Sequence, residues 1–139
     1  MALDTTVETV SGRVPITIVA LDGELDASNF TALVDTVREL YGSGSRHLLI
    51  DLANLRFMAS SGLVALHSIV RLMHGEPPPD PDAGWDALHS LGADVAEGST
   101  QAEVQLCGAQ PAVDRVLTRT GLSRLFHVHP DRASAIASF

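Results

Sequence analysis

Apolar and polar positions along the chain change their period several times, and each change marks an element. Leu3 to Val10 alternate weakly, and Pro15 to Leu21 form a short β-branched run, which predicts two strands joined by a turn at Ser11-Gly12-Arg13. The following "LDGELDASN" supplies Gly23 and several cap-forming residues, after which Phe30, Leu33, Val34, Val37 and Leu40 recur at helical spacing. Glycines in "YGSGS" end that helix. "RHLLIDL", residues 46–52, is apolar on both faces, as a strand covered from both sides would be. "LRFM" either extends that strand past a kink at Ala53 and Asn54 or forms a short strand of its own. From Ser61 the period changes again, and Leu63, Leu66, Val70 and Met73 predict a helix buried on one side.

Residues 75–100 differ in kind. Four prolines within five positions, six acidic residues and no Arg or Lys resist regular packing, which predicts a surface insertion with at most a helical turn around Trp85 to Leu91. Docking of Trp85 and Leu88 on the body is left open. "AEVQLCGA" restores a strand, Pro111 opens a helix with Val113, Val116 and Leu117 inward, and Gly121 stops it. "RLFHVH" reads as a last strand, and Pro130 and Asp131 start a terminal helix with Ala133, Ile136 and Ala137 on its inner side. Strands alternating with helices predict an α/β domain, a mixed and largely parallel sheet layered with about four helices.

Composition narrows the picture. A chain of 139 residues has the usual size of one domain, and at that length folding removes roughly two-thirds of its surface from water. Residues 1–139 are expected to form one unit. Apolar residues make up 45% and aromatics 4%, so the core must be aliphatic. All nine basic residues are arginines, scattered singly, and the net charge is −8. No basic cluster could track a phosphate backbone, which argues against nucleic acid and against an anionic membrane surface. Cys107 is the one cysteine, so no intrachain disulfide can form. Asp4 and Glu8 fall where a signal peptide would need basic residues, and no apolar run approaches the ~18 to 20 residues that span a bilayer, so a cytoplasmic protein is expected.

The most telling stretch is "LLIDLANLRFMASSGLVAL", Leu48 to Leu66, where two serines and a glycine stand between a strand pattern and a helix pattern. Serine is a preferred N-cap, and on the residues alone Ser60 or Ser61 could do nothing more than satisfy an amide there. Together with "GELD" (Gly23 to Asp26) and "VDRVLTRTGLSRLFHV" (Val113 to Val128), however, this junction resembles the STAS domain of bacterial anti-sigma factor antagonists. The resemblance covers nearly the whole chain outside residues 75–100. That family typically carries Asp-Ser-Ser or Asp-Ser-Thr followed by Gly-Leu at the junction. Ala59 stands here where the aspartate is usual.

The resemblance implies a protein-binding switch without cofactor. In such antagonists the first serine of the motif is phosphorylated by a partner that is both serine kinase and anti-sigma factor, and the unphosphorylated form binds that partner and frees the sigma factor. Carried onto this chain, it makes Ser60 the acceptor, with Ser61 the lesser candidate. Asp22, Gly23, Glu24, Asp26, Ala59, Ser60, Ser61, Gly62 and Leu63 become the partner-binding positions. The alternative within the fold is a non-phosphorylated STAS module of a transporter or multi-protein signalling complex.

Other chemistry has weaker support. His127 and His129 share one strand face and His67 and His74 lie seven apart, but either pair needs further ligands to hold a metal. No metal site is expected. "ASSGL" is not the Gly-x-Ser-x-Gly elbow of a hydrolase, and a chain without lysine has no phosphate-binding loop of the Gly-Lys type. An enzyme is not expected.

Overall fold

The computed structural model describes residues 3–73, 101–122 and 126–139, with the backbone alone at 101–103. Strand β1 (Leu3–Ser11) turns into β2 (Pro15–Leu25), helix α1 (Phe30–Gly42) leads to β3 (Leu48–Met58), and α2 (Ser60–Met73) follows directly. Then come β4 (Gln101–Cys107), α3 (Pro111–Thr120), β5 (Phe126–His129) and α4 (Arg132–Ser138). The five strands form one sheet in the order β1-β2-β3-β4-β5. β1 is antiparallel to β2 and every other neighbouring pair is parallel. The mixed, largely parallel sheet with four described helices is the α/β architecture that the alternating pattern predicts.

Strand alternation divides the apolar residues between two faces. Val19, Leu21, Leu48, Ile50, Leu52, Val104 and Leu106 pack with Leu33 and Val37 of α1, Leu66 and Ile69 of α2, and Val113 and Leu117 of α3. On the other face Ile16, Ile18, Leu49 and Cys107 meet Ala135 of α4, with Ile136 and Phe139 beside it. Each fully buried aliphatic side chain contributes about 1.5–3 kcal/mol relative to exposure, so the three-helix face dominates the stability.

Four details differ from the expectation or complete it. β2 runs on to Leu25, so "GEL" is strand and not loop. The register against β3 shifts between Ala20 and Asp22 and again between Gly23 and Glu24, and Gly23 has φ 123°, a conformation that a side chain disfavours. β3 is continuous through "LRFM", the first of its two readings. α2 is buried nearly all round rather than on one side, with Ser68 tolerated inside because its hydroxyl donates to Val64 O at 2.8 Å. In α4 the inner residue is Ala135, while Ala133 and Ala137 are exposed.

The acidic stretch at 75–100, with Trp85 and Leu88, lies outside the described residues, as does His74. No described helix is long and apolar enough to cross a membrane.

Candidate functional site

The ends of β2 and β3 leave the sheet side by side. Leu25 pairs with Met58, and Ala59 N donates to Leu25 O at 2.9 Å, which sets Asp26 next to the start of α2. That brings the two separate sequence pieces, Gly23 to Asp26 and Ala59 to Leu63, to one end of the sheet.

Helix α2 begins at Ser60, so Ala59 occupies the cap position and the serines fill the first turn. Gly62 N donates back to Ala59 O at 2.9 Å. Gly62 is buried, and a Cβ there would collide with Met58 Cγ and come within 3.1 Å of Leu25. The absence of a side chain is what lets the first turn sit down on the two strand ends. Ser60 is exposed and Ser61 half-buried, and neither side chain makes a hydrogen bond among the described residues. The capping role that serine suggests is therefore not exercised by either hydroxyl.

The loop from β2 to α1 is held differently. Asp26 Oδ1 accepts from Ser28 N at 2.9 Å and from Ser28 Oγ at 2.5 Å. These bonds, the hydroxyl's first, hold the Asp26 carboxyl below the usual carboxylate range. Asn29 ties both ends of the loop: its Oδ1 accepts from Asp26 N at 3.0 Å, and its Nδ2 donates to Glu24 O at 2.9 Å. Asp26 is thus an anion engaged in its own loop. Asp22 is exposed and lies 3.7 Å from Arg56 Nη1, a surface pair of small energetic weight.

Among the expected contact positions, Asp22 and Ser60 are exposed, and Glu24, Asp26, Ala59 and Ser61 are half-buried. Gly23, Gly62 and Leu63 are buried and underlie this surface rather than form it. One residue that the sequence pattern concealed joins them: Phe57, paired with Glu24 across the strands, is 49% exposed. Inside "LRFM" it reads as core. A hint is Met58 beside it, because two consecutive positions of a regular strand cannot both face the core, and here Met58 is the buried one.

Other chemical groups are engaged elsewhere. The Cys107 thiol is pushed up to about 12 by burial and then by nearby Asp51, so it stays protonated and unreactive. His127 and His129 stack at 6.4 Å, and His129 Nε2 lies 2.7 Å from Gln105 Oε1. Among the described residues no group of three His, Cys, Asp or Glu side chains is placed to hold a metal ion.

Comparison with known proteins gives this arrangement a fold. Residues 11–76 match the family model described as "Mlab, STAS domain". An anti-sigma factor antagonist from Mycobacterium paratuberculosis superposes with a TM-score of 0.68 at 20% identity, covering 99% of this chain and 93% of that one. The Bacillus cell fate determinant SpoIIAA in its phosphorylated form gives 0.60 at 17% identity over 96% of each chain. The STAS domain of a SulP transporter from Vibrio cholerae gives 0.57 at 20% identity, covering 88% of this chain and 77% of that one. At these identities the solved structures speak for the fold, which is that of STAS domains, and the family model shows a likeness to that family over residues 11–76.

Proposed function

We propose that this protein is an anti-sigma factor antagonist-like switch, which binds an anti-sigma factor of the serine-kinase type and releases it when Ser60 is phosphorylated. The observation that carries the reading is the Ser60 hydroxyl: exposed, on the first turn of α2, and without a hydrogen bond among the described residues. A phosphate there sits on the first turn, at the positive end of the helix dipole, so the domain tolerates it. The partner does not, because about two negative charges enter a surface that already carries Asp22, Glu24 and Asp26. Phosphorylation thereby changes binding without remodelling the fold.

Fold likeness to SpoIIAA, whose structure is of a phosphorylated form, supports this reading, as does likeness to the mycobacterial antagonist. The second reading is a constitutive STAS module that is not phosphorylated. It is favoured by Ala59 and by the likeness to the SulP transporter domain. Incubation with a serine kinase of the anti-sigma type and ATP, followed by intact mass, separates the two. One added phosphate that disappears in Ser60→Ala supports the switch. No added phosphate, while the same kinase modifies another substrate, leaves the constitutive module.

A further inference from the structure

The outer edge of the sheet is strand β1, nine residues long and paired to β2 without a bulge from Leu3 opposite Gly23 to Ser11 opposite Pro15. Thr5, Thr6, Val7, Glu8 and Thr9 are all exposed, and Val7, at 44%, is among the few large apolar side chains of the described residues left in solvent. The strand has no proline, no lysine and no register shift, and the charges that could keep the edge from pairing with another chain are Asp4 and Glu8 alone.

Two hydrogen bonds reveal which backbone groups of β1 face outward. Gly12 N donates to Val14 O across the turn at 3.1 Å, and Thr17 N donates to His47 O on the β3 side at 2.9 Å. Odd-numbered residues at this end of β2 therefore face β3, and even-numbered ones face β1. In the unbroken register, the even residues of β1 bond to β2, and the N–H and C=O of Thr5, Val7 and Thr9 point away from the sheet.

We propose that this edge pairs with β1 of a second copy of the chain, antiparallel about a two-fold axis through Val7. In that register Val7 meets Val7 of the second copy and Thr5 meets Thr9, all of them positions whose backbone groups face outward. The acids separate: Asp4 comes opposite Val10, and Glu8 opposite Thr6. Moving the axis to Thr6 would set Asp4 against Glu8, and moving it to Glu8 would set that carboxylate against itself, both of which like-charge repulsion disfavours. Among the registers that pair outward-facing positions and keep the acids apart, the Val7 register is the one that engages the whole strand, from Leu3 opposite Ser11 onward. Its product is a symmetric dimer with one continuous sheet. The opposite side of the sheet from β1, and the Ser60 end, take no part in the pairing.

Sedimentation equilibrium of the full chain over a concentration series tests this. The mass should rise from 14.7 kDa towards twice that value. Val7→Pro removes an outward N–H that β2 does not use, so circular dichroism should remain that of the folded domain while association weakens at least about tenfold. Since proline also constrains φ, a charge pair gives the second test: Val7→Lys and Val7→Asp should each stay monomeric alone and associate when mixed. A wild-type chain that remains at the monomer mass up to millimolar concentration overturns the proposal. So does a dimer that both Val7→Pro and Val7→Lys leave intact, because the contact then lies on another surface.

Discussion

Two helices of this domain begin close behind a strand, and they begin differently. α4 follows β5 through Pro130 and Asp131, whose extended backbone lets its carboxylate accept from Ser134 N at 2.8 Å. Here the cap residue does the capping. α2 follows β3 through Ala59 with two serines in its first turn, yet among the described residues neither hydroxyl bonds to the backbone. Its start is held from below instead, by Ala59 N on Leu25 O and by a glycine seated against Met58 and Leu25. The contrast shows that serines at a helix start need not be structural. At α2 the fold is secured by other means.

The strongest way to break that contrast is at Gly62. Gly62→Val should cost about 1–3 kcal/mol, read by urea denaturation, because the new side chain must displace Met58 or Leu25 from a packed junction. A variant as stable as the wild type would mean that the first turn is not held from below.

At the α4 end the expected effects depend on pH. Burial first, and then the charge of His127, keep the His129 pKa below its ordinary 6.5. The unfolded chain therefore takes up its proton before the folded one does. This stabilisation is complete above about pH 6.5 and is lost as pH falls through the lower folded value. Thermal melts of the wild type should decline between about pH 7 and 5, and His129→Gln should decline less over the same window. Equal slopes would remove His129 from the account of how α4 is held.

Removing the cap should act more weakly. Asp131→Ala should lower the melting temperature at neutral pH, whereas Asp131→Asn, which can still accept from Ser134 N, should lower it less. The Asp131 pKa is held below its usual range by the Ser134 backbone bond, so its stabilisation is present above that range and disappears as the carboxyl is protonated. Wild type and Asp131→Ala should accordingly converge in strong acid. The smallest effect belongs to Ser60→Ala, whose unfolding free energy should stay within about 0.5 kcal/mol of the wild type. A larger loss would make Ser60 a structural cap after all and erase the difference between the two helices.

Much of this fold was legible in the sequence because aliphatic periodicity is strong where elements are long. The stripes of α1 and α3 and the buried run of β3 all lie where spacing predicts. What stayed hidden has identifiable causes. Gly23 and its acidic neighbours carry turn chemistry, yet here they build bulges within β2, a choice made by pairing with β3. In a helix as short as α4, alanines at 133, 135 and 137 are interchangeable to any periodicity, and only contact with Ile16 and Ile18 selects Ala135. Arg132 reaches Asp51 at 2.8 Å and Glu8 at 3.3 Å across most of the chain, pairings that no local pattern contains. At the candidate site, the meeting of Gly23–Asp26 with Ala59–Leu63 was readable through family resemblance. The exposure of Phe57 and the unused serine hydroxyls were not, because both depend on how the two strand ends pack.

The most direct test of the central claim is the affinity of the anti-sigma partner for Ser60→Asp compared with Ser60→Ala, measured by calorimetry on variants shown to melt with the wild type. The account predicts that Ser60→Ala binds as the wild type does. Ser60→Asp should bind at least about tenfold more weakly, a difference of about 1.4 kcal/mol, because a charge that the helix start accepts is rejected by the partner. Equal affinities for the two variants, at equal stability, would contradict it.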